Sequence, residues 1–397
     1  MSPVREACDP HRRELDAKIL GWMRESTWQD DEARFDAMAC ELFAFQFEHC
    51  LPYARFSEAR GVTPGKLSHW SEIPAVPSTA FKEARLHSFD PASTAKVFHT
   101  SGTTSARPGA LYLDTLELYE ASLLSSIRRF VFPDLGVGPA AEAPRMSIRI
   151  LASDPAEAKD SSLSHMFGVV LRNLGESSNS GYDSHHGVLD AASLIDRMLR
   201  LGDSATSSED RRPVALCGTS FAFVHLLEAF ERSAHAGAKL NLPRGSRIME
   251  TGGFKGRSRE VPRDQLYASL EQRLGIPPEH IVNQYGMTEL GSQFYDSLLF
   301  ESQSMDTPGP RRKLGPPWVR VRLIDPETGE NAKPGAAGMI VIHDLANTGS
   351  VAALQTADLG RTVEGAPDGF EVLGRAADEE ERGCSIAADE LWHEAQQ

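Results

Sequence analysis

The stretch Phe98-His99-Thr100-Ser101-Gly102-Thr103-Thr104-Ser105-Ala106-Arg107-Pro108-Gly109 concentrates hydroxyls, two glycines and one arginine between apolar flanks. Those groups can hold a polyphosphate. Glycine lets the backbone approach closely, hydroxyls and backbone N–H groups donate hydrogen bonds, and arginine supplies charge. The plain alternative is a Ser/Thr/Gly surface loop. A second cluster, Asn283-Gln284-Tyr285-Gly286-Met287-Thr288-Glu289, follows an apolar run. A tyrosine can stack on a purine, an asparagine can read the adenine amide edge, a threonine can bind phosphate, and a glutamate can coordinate Mg²⁺. Each also has a plainer use: Tyr285 in a core, Gly286 in a turn, Glu289 as an acid at a helix N-terminus. A third cluster is Leu354-Gln355-Thr356-Ala357-Asp358-Leu359-Gly360, followed by Gly374-Arg375. An ionised carboxylate accepts the two hydrogen bonds of a ribose diol, although an aspartate before a glycine turn is also a common structural device.

The elements around these clusters read as α/β. Phe35, Met38, Leu42 and Phe45 recur at helical spacing within a helical region from about 12 to 50. Leu111-Tyr112-Leu113 reads as a short strand after the hydroxyl-rich loop, and Asp114 with Glu117 as a capping box opening a helix through about Arg129. The order is therefore strand, loop, strand, helix. A Walker P-loop runs directly into a helix and carries Gly-Lys-Ser/Thr, so that class is excluded. Apolar runs near 147–152, 214–217, 247–250 and 281–283 each precede helix-like sequence, which predicts α/β layering. After Gly309 the pattern becomes β-rich, with Val319, Val321 and Leu323 alternating with Arg320 and Arg322, then Met339-Ile340-Val341-Ile342. The division expected is 1–310 as a large α/β nucleotide- and acyl-binding domain with a helical N-terminal segment, 311–373 as a β-rich subdomain, and 374–397 as a hinge-like tail.

The chain has 397 residues and a net charge of −15, which disfavours a nucleic-acid partner. No apolar run is long enough to span a membrane, and the first residues are too polar for a secretory signal. The five cysteines (Cys8, Cys40, Cys50, Cys217, Cys384) lack metal-ligand spacing and read as reduced thiols in a cytoplasmic protein. Cys40 and Cys217 lie in apolar patterns and are expected in the core. The segment Cys217–Phe230 is expected to line an acyl pocket, or to be core; His165, His185, His186 and His225 are expected at structural or surface positions.

Thr-Ser-Gly-Thr-Thr, Tyr-Gly-Met-Thr-Glu, Thr-Ala-Asp-Leu-Gly and Gly-Arg occur here in the order and approximate spacing of the adenylate-forming superfamily. Within it the chain resembles the LuxE-type acyl-protein synthetases, through Ile73–Lys82, through Cys217-Gly218-Thr219-Ser220-Phe221, and through Arg382-Gly383-Cys384. The resemblance covers roughly residues 60 to 390 and implies a layered α/β large domain with a β-barrel-like subdomain. It implies that Ser101, Gly102, Thr103 and Thr104 handle the β- and γ-phosphates of ATP, with Arg107 the cation available. Asn283 and Tyr285, with Gly286, would contact adenine beside Thr251-Gly252-Gly253. Thr288 would touch the α-phosphate, Glu289 would bind Mg²⁺, and Asp358 would bind ribose with Arg375 nearby. Two departures stand out. The loop carries no lysine at its end, and the sequence after Arg375 has neither a lysine nor room for the lid domain of the superfamily.

The implied chemistry is attack of a carboxylate on the α-phosphate of MgATP, with release of pyrophosphate. The substrate is already ionised, so catalysis is positioning and electrostatic stabilisation. The acyl-adenylate then meets a thiol. Cys384 beside Gly383 is the candidate, with Arg382 favouring the thiolate and Glu379, Glu380 and Glu381 opposing it. The plain alternative is that Cys384 merely continues the hinge motif. The acid would be fatty or aryl. The acyl acceptor beyond Cys384 would be a reductase or carrier protein, or coenzyme A directly without a covalent enzyme intermediate. A non-catalytic adenylate-binding subunit is the reading from a different class.

Overall fold

The structure is a computed structural model describing residues 9–100, 108–135, 145–202, 212–252, 261–303, 305 and 307–376. The chain divides into two compact units that interleave along the sequence. One comprises Met1–Ser126, Met287–Phe294 and Arg312–Gln397, and the other Ile127–Gly286 and Tyr295–Arg311.

The second unit is built on a parallel sheet. Gly181–Tyr182, Ser147–Leu151, Val214–Thr219, Arg247–Thr251 and Ile281–Tyr285 lie side by side in that order. All but Gly181–Tyr182 match the apolar runs read from the sequence. In Ser147–Leu151 and Arg247–Thr251 every residue is buried, because both faces of a parallel strand are covered and alternation is lost. The helices Ser162–Leu174, Ala191–Gly202, Ser220–Arg232 and Arg263–Leu274 come between or after the strands. Phe223, Phe230 and Leu270 pack with Leu216, Ile248 and Ile281 in one core cluster. Each such side chain contributes about 1.5–3 kcal/mol by leaving water, which makes the strand ends a firm platform. Phe223 and Phe230 are fully buried in that core; of the aromatics in the segment expected to line a pocket, Phe221 alone stays partly exposed.

The first unit carries the helices Pro10–Met23, Glu32–His49 and Leu51–Ala59 at its start. Phe35, Met38, Leu42 and Phe45 are all buried on the second of these, as their spacing requires. Its sheet is an antiparallel meander, Val319–Ile324, Gly338–Asp344, Ala353–Val363 and Ala366–Arg375, with Val76–Pro77 joining Ala353–Val363 in parallel. Lys96–His99 and Ala110–Leu113 form a separate hairpin.

Two local expectations are corrected. Asp114 does not cap a helix. It is buried against Arg12, whose Nη2 donates to it at 3.2 Å, and the helix begins at Glu117, whose N–H is taken by Thr115 Oγ1. The ion pair with a buried guanidinium outcompetes the cap. Cys40 is only half-buried, with Sγ directed at Asp36, because the apolar stripe of its helix passes beside it.

Candidate active site

The hydroxyl-rich loop spans the hairpin Lys96–His99/Ala110–Leu113. Its base is closed by Thr100 N donating to Gly109 O at 2.8 Å and by Gly109 N donating to Thr100 Oγ1 at 2.9 Å. A Cβ on Gly109 would stand 3.1 Å from Thr100 Cγ2, so glycine permits this closure. Ser101, Gly102, Thr103, Thr104 and Arg107 lie outside the described residues, as do Gly253 and Cys384.

Thr288 belongs to the same unit as that hairpin. Its Oγ1 lies 3.5 Å from the carbonyl oxygen of His99, two residues ahead of Ser101. Motifs 189 residues apart in the chain therefore meet. Glu289 is buried, and its carbonyl accepts from Asn347 Nδ2 at 2.8 Å. Asn347 Nδ2 also donates to Val351 O at 3.0 Å. Asp344 grips the continuation of the segment, accepting from Ser292 N at 2.8 Å and Ser292 Oγ at 2.7 Å. Ser292 Oγ lies 2.8 Å from Ser122 Oγ, and Trp318 Nε1 donates to Ser122 Oγ at 2.9 Å. Complete burial raises the Asp344 pKa to about 6 against these donors. Gly291 sits where a Cβ would be 2.9 Å from Ala346 Cβ. The loop after Gly338–Asp344 is thus a clamp on Glu289–Ser292.

Among the described residues no group of three or more His, Cys, Asp or Glu could hold a metal ion. Mg²⁺ commonly takes one or two carboxylates and completes its octahedron with phosphate oxygens and water. A single buried Glu289 beside Thr288 fits that donor set.

Asp358 lies in mid-strand and not at a turn. Its N–H donates to Thr356 Oγ1 at 3.1 Å, and it stands opposite Arg375 in the antiparallel register. Gly374 beside it has φ of +119°, a region closed to most side chains.

In the second unit, Asn283 and Glu250 are partners across adjacent parallel strands. Asn283 Nδ2 donates to Glu250 Oε1 at 2.6 Å, and Tyr267 OH donates to the same oxygen at 2.8 Å. Ser220 Oγ lies between Glu250 Oε2 and the carbonyl oxygen of Gly252. Burial, then the Glu250 charge, pushes the Tyr267 hydroxyl well above its ordinary pKa, so it stays a donor. Asn283 N donates to Asp296 Oδ2 at 3.1 Å, and Arg311 Nη1 holds that carboxylate at 2.7 Å. Thr251 Oγ1 bonds to the Gln284 side chain and lies 3.1 Å from Gln284 O. Tyr285 and Gly286 are half-exposed, and Gly252 is exposed with φ of +78° and no described residue within 4 Å of where a Cβ would stand.

Sequence reading missed Glu250, Asp296, Asp344 and Asn347. Glu250 left a signal: a carboxylate inside the apolar run Arg247-Ile248-Met249-Glu250, 2% exposed in the structure. Burying such a group requires several donors.

The profile of the family described as "Acyl-protein synthetase, LuxE" matches residues 13–392. The chain belongs to this family. The LuxE-family chain is 21% identical over 376 residues to the long-chain-fatty-acid–luciferin-component ligase of Aliivibrio fischeri, covering 92% of this chain and 90% of that one. It is 23% identical over 400 residues to the ligase of the same name from Vibrio harveyi, covering 99% and 97%. Its fold is similar to that of 2-hydroxyisobutyryl-CoA ligase in an open conformation with 2-HIB-AMP and CoA (TM-score 0.58, 16% identity, 88% of this chain and 77% of that one). The LuxE-family chain is an adenylate-forming acid–thiol ligase: it activates a carboxylic acid with ATP and passes the acyl group to a thiol. No helix among its described residues is long and apolar enough to cross a membrane.

Proposed function

We propose that the acid is a long-chain fatty acid and that the acyl group passes to Cys384 before reaching a partner protein. The names of the two bacterial relatives support a long-chain fatty acid, and the family description supports a protein acceptor. The observation that carries the residue roles is the approach of Thr288 to His99, at the foot of the hydroxyl-rich loop, with buried Glu289 next to it. Ser101, Gly102, Thr103, Thr104 and Arg107 take the β- and γ-phosphates, and Thr288 donates to the α-phosphate. Glu289 would hold Mg²⁺, which would offset charge building on the phosphate oxygens. Asn283, Tyr285 and Gly286, with Gly252 and Gly253, meet the base; Asp358 accepts from the ribose hydroxyls beside Arg375.

The substrate carboxylate oxygen forms a bond to the α-phosphorus while the bond to pyrophosphate breaks. A thiolate then attacks the acyl carbon, AMP leaves with the bonding electron pair, and the thiol proton has already gone to solvent. The described thiols are ill suited to this. Burial pushes Cys50 up to about 11 and Cys217 up to about 12, and Cys40 is raised by burial and by Asp36. Their thiolate fractions at neutral pH are negligible, which leaves Cys8 and Cys384, and the family-like Arg382-Gly383-Cys384 segment favours Cys384.

Intact-mass measurement after incubation with MgATP and hexadecanoic acid tests the step. One acyl adduct is expected on the wild type, dependent on ATP and absent from Cys384→Ala. Undiminished acyl delivery to an acceptor thiol by Cys384→Ala would overturn the covalent step.

A further inference from the structure

We infer that Glu250 is a positioning residue that sets the base selectivity of the nucleotide site, by fixing which end of the Asn283 amide faces the purine 6-position. The inference rests on the reading of Asn283 as the base contact. A primary amide has a donor end and an acceptor end of nearly the same shape, and only hydrogen bonding decides which way it points. Glu250 accepts from Tyr267 OH at 2.8 Å and from Asn283 Nδ2 at 2.6 Å on one oxygen, with Ser220 Oγ at the other. A carboxylate receiving these donors offers acceptors alone, so the amide must turn its Nδ2 end toward Glu250. Its Oδ1 end is then the one directed away from Glu250. Asn283 cannot escape by a backbone shift, because its N–H is tied to Asp296, itself held by Arg311. Gly252, whose carbonyl lies 2.8 Å from Ser220 Oγ, has no described residue within 4 Å of where a Cβ would stand, so a flat ring can approach those strand ends closely.

An acceptor at the 6-position suits the amino group of adenine. It repels the oxo group of hypoxanthine or guanine, since two acceptors then face each other with no proton between them. Specificity built this way is strong, because the wrong partner leaves a desolvated group unpaired. Glu250→Gln would release the constraint. The new side chain can present either its oxygen or its nitrogen to Asn283, and Tyr267 and Ser220 hydroxyls can act as donor or acceptor. Both amide orientations then become accessible.

Calorimetric binding of MgATP and MgITP to the full chain tests this without an acid substrate or turnover. The wild type is expected to bind MgATP roughly tenfold or more tightly than MgITP, the loss of one hydrogen bond and its replacement by repulsion. Glu250→Gln is expected to bring the two Kd values within about threefold of each other. A residue needed only for folding would weaken both nucleotides together and leave their ratio unchanged. Asn283→Ala separates the two layers of the argument. If Asn283→Ala collapses the ratio and Glu250→Gln, folded by its thermal transition, retains it, the role of Glu250 is wrong and the base contact stands. If Asn283→Ala also retains the ratio, Asn283 does not read the base and the inference falls with it. The wild-type comparison decides even if Glu250→Gln fails to fold: equal affinity for MgATP and MgITP overturns the inference.

Discussion

Replacing Asn347 tests whether Glu289 is held by the clamp described above. Asn347 is 1% exposed and its Nδ2 donates to the carbonyl oxygens of Glu289 and Val351. Asn347→Ala removes both donors. An unsatisfied buried carbonyl costs about 1–3 kcal/mol, so a loss of about 3 kcal/mol is expected once some relaxation is allowed. Asn347→Asp has nearly the same shape but sets an acceptor against two carbonyl oxygens that now lie 2.8 and 3.0 Å away. At about pH 8 it should be less stable than Asn347→Ala, with a lower affinity for MgATP, because repulsion adds to the missing bonds. Acidification should reverse the order. Burial and the two carbonyls raise the pKa of the new carboxyl above its unfolded value, so the folded state binds the extra proton. Its relative stability therefore rises as pH falls through the folded pKa. The protonated group can donate to one carbonyl. Thermal unfolding and MgATP titration of the two variants between about pH 8 and pH 5.5 read this out. Equal stability of the two at about pH 8, or an Asn347→Asp variant that weakens relative to Asn347→Ala on acidification, would refute the clamp.

Gly291→Ala places a Cβ 2.9 Å from Ala346 Cβ and 3.0 Å from the Ala346 carbonyl carbon. The segment carrying Glu289 must shift, and pyrophosphate exchange should fall at least about tenfold, with kcat more affected than KM for ATP. Burial lowers the His343 pKa to about 4. The unfolded chain takes up the proton near the ordinary value, so the stability that neutral His343 contributes is lost as pH falls from about 6.5 to 4. The advantage of the wild type over His343→Gln should shrink by about 3 kcal/mol across that window; a constant difference would contradict it. Asp344 titrates with the opposite sign, its pKa being raised to about 6, and cancels in the comparison because both proteins retain it. Iodoacetamide on the native protein should spare Cys50 and Cys217, which burial holds as thiols, and peptide mapping would show a contrary result.

Much of the α/β layout could be read because its signals are local. The strands Ser147–Leu151, Val214–Thr219, Arg247–Thr251 and Ile281–Tyr285 are rich in apolar residues without alternation, as parallel strands covered on both faces tend to be. Asp114 was misread because its partner, Arg12, is 102 residues away, and no local pattern reports a long-range ion pair. Asp358 precedes Leu359-Gly360 and looks like a turn, but ladder pairing carries the strand on to Val363 past a register shift at Leu359/Gly360. The motifs around Ser101, Thr288 and Asp358 were visible because their residue types are chemical. Their supports were not. Asn347, Asp344 and Glu250 act through hydrogen bonds to residues far off in sequence, and of the three only Glu250, within its apolar run, leaves a local trace. The interleaving of the two units is invisible in composition, because the short segment Met287–Phe294 returns to the first unit with no change of character.

The central claim is that buried Glu289, set beside Thr288, serves ATP-dependent activation of a carboxylic acid. Acid-dependent exchange of labelled pyrophosphate into ATP, measured for the wild type and for Glu289→Gln across a panel of long-chain fatty and aromatic acids, tests it most directly. The wild type should exchange with at least one long-chain fatty acid, and Glu289→Gln, still folded, should lose roughly a hundredfold or more of that rate. A folded wild type that binds ATP yet exchanges with none of the acids, or a Glu289→Gln variant as fast as the wild type, would contradict the account.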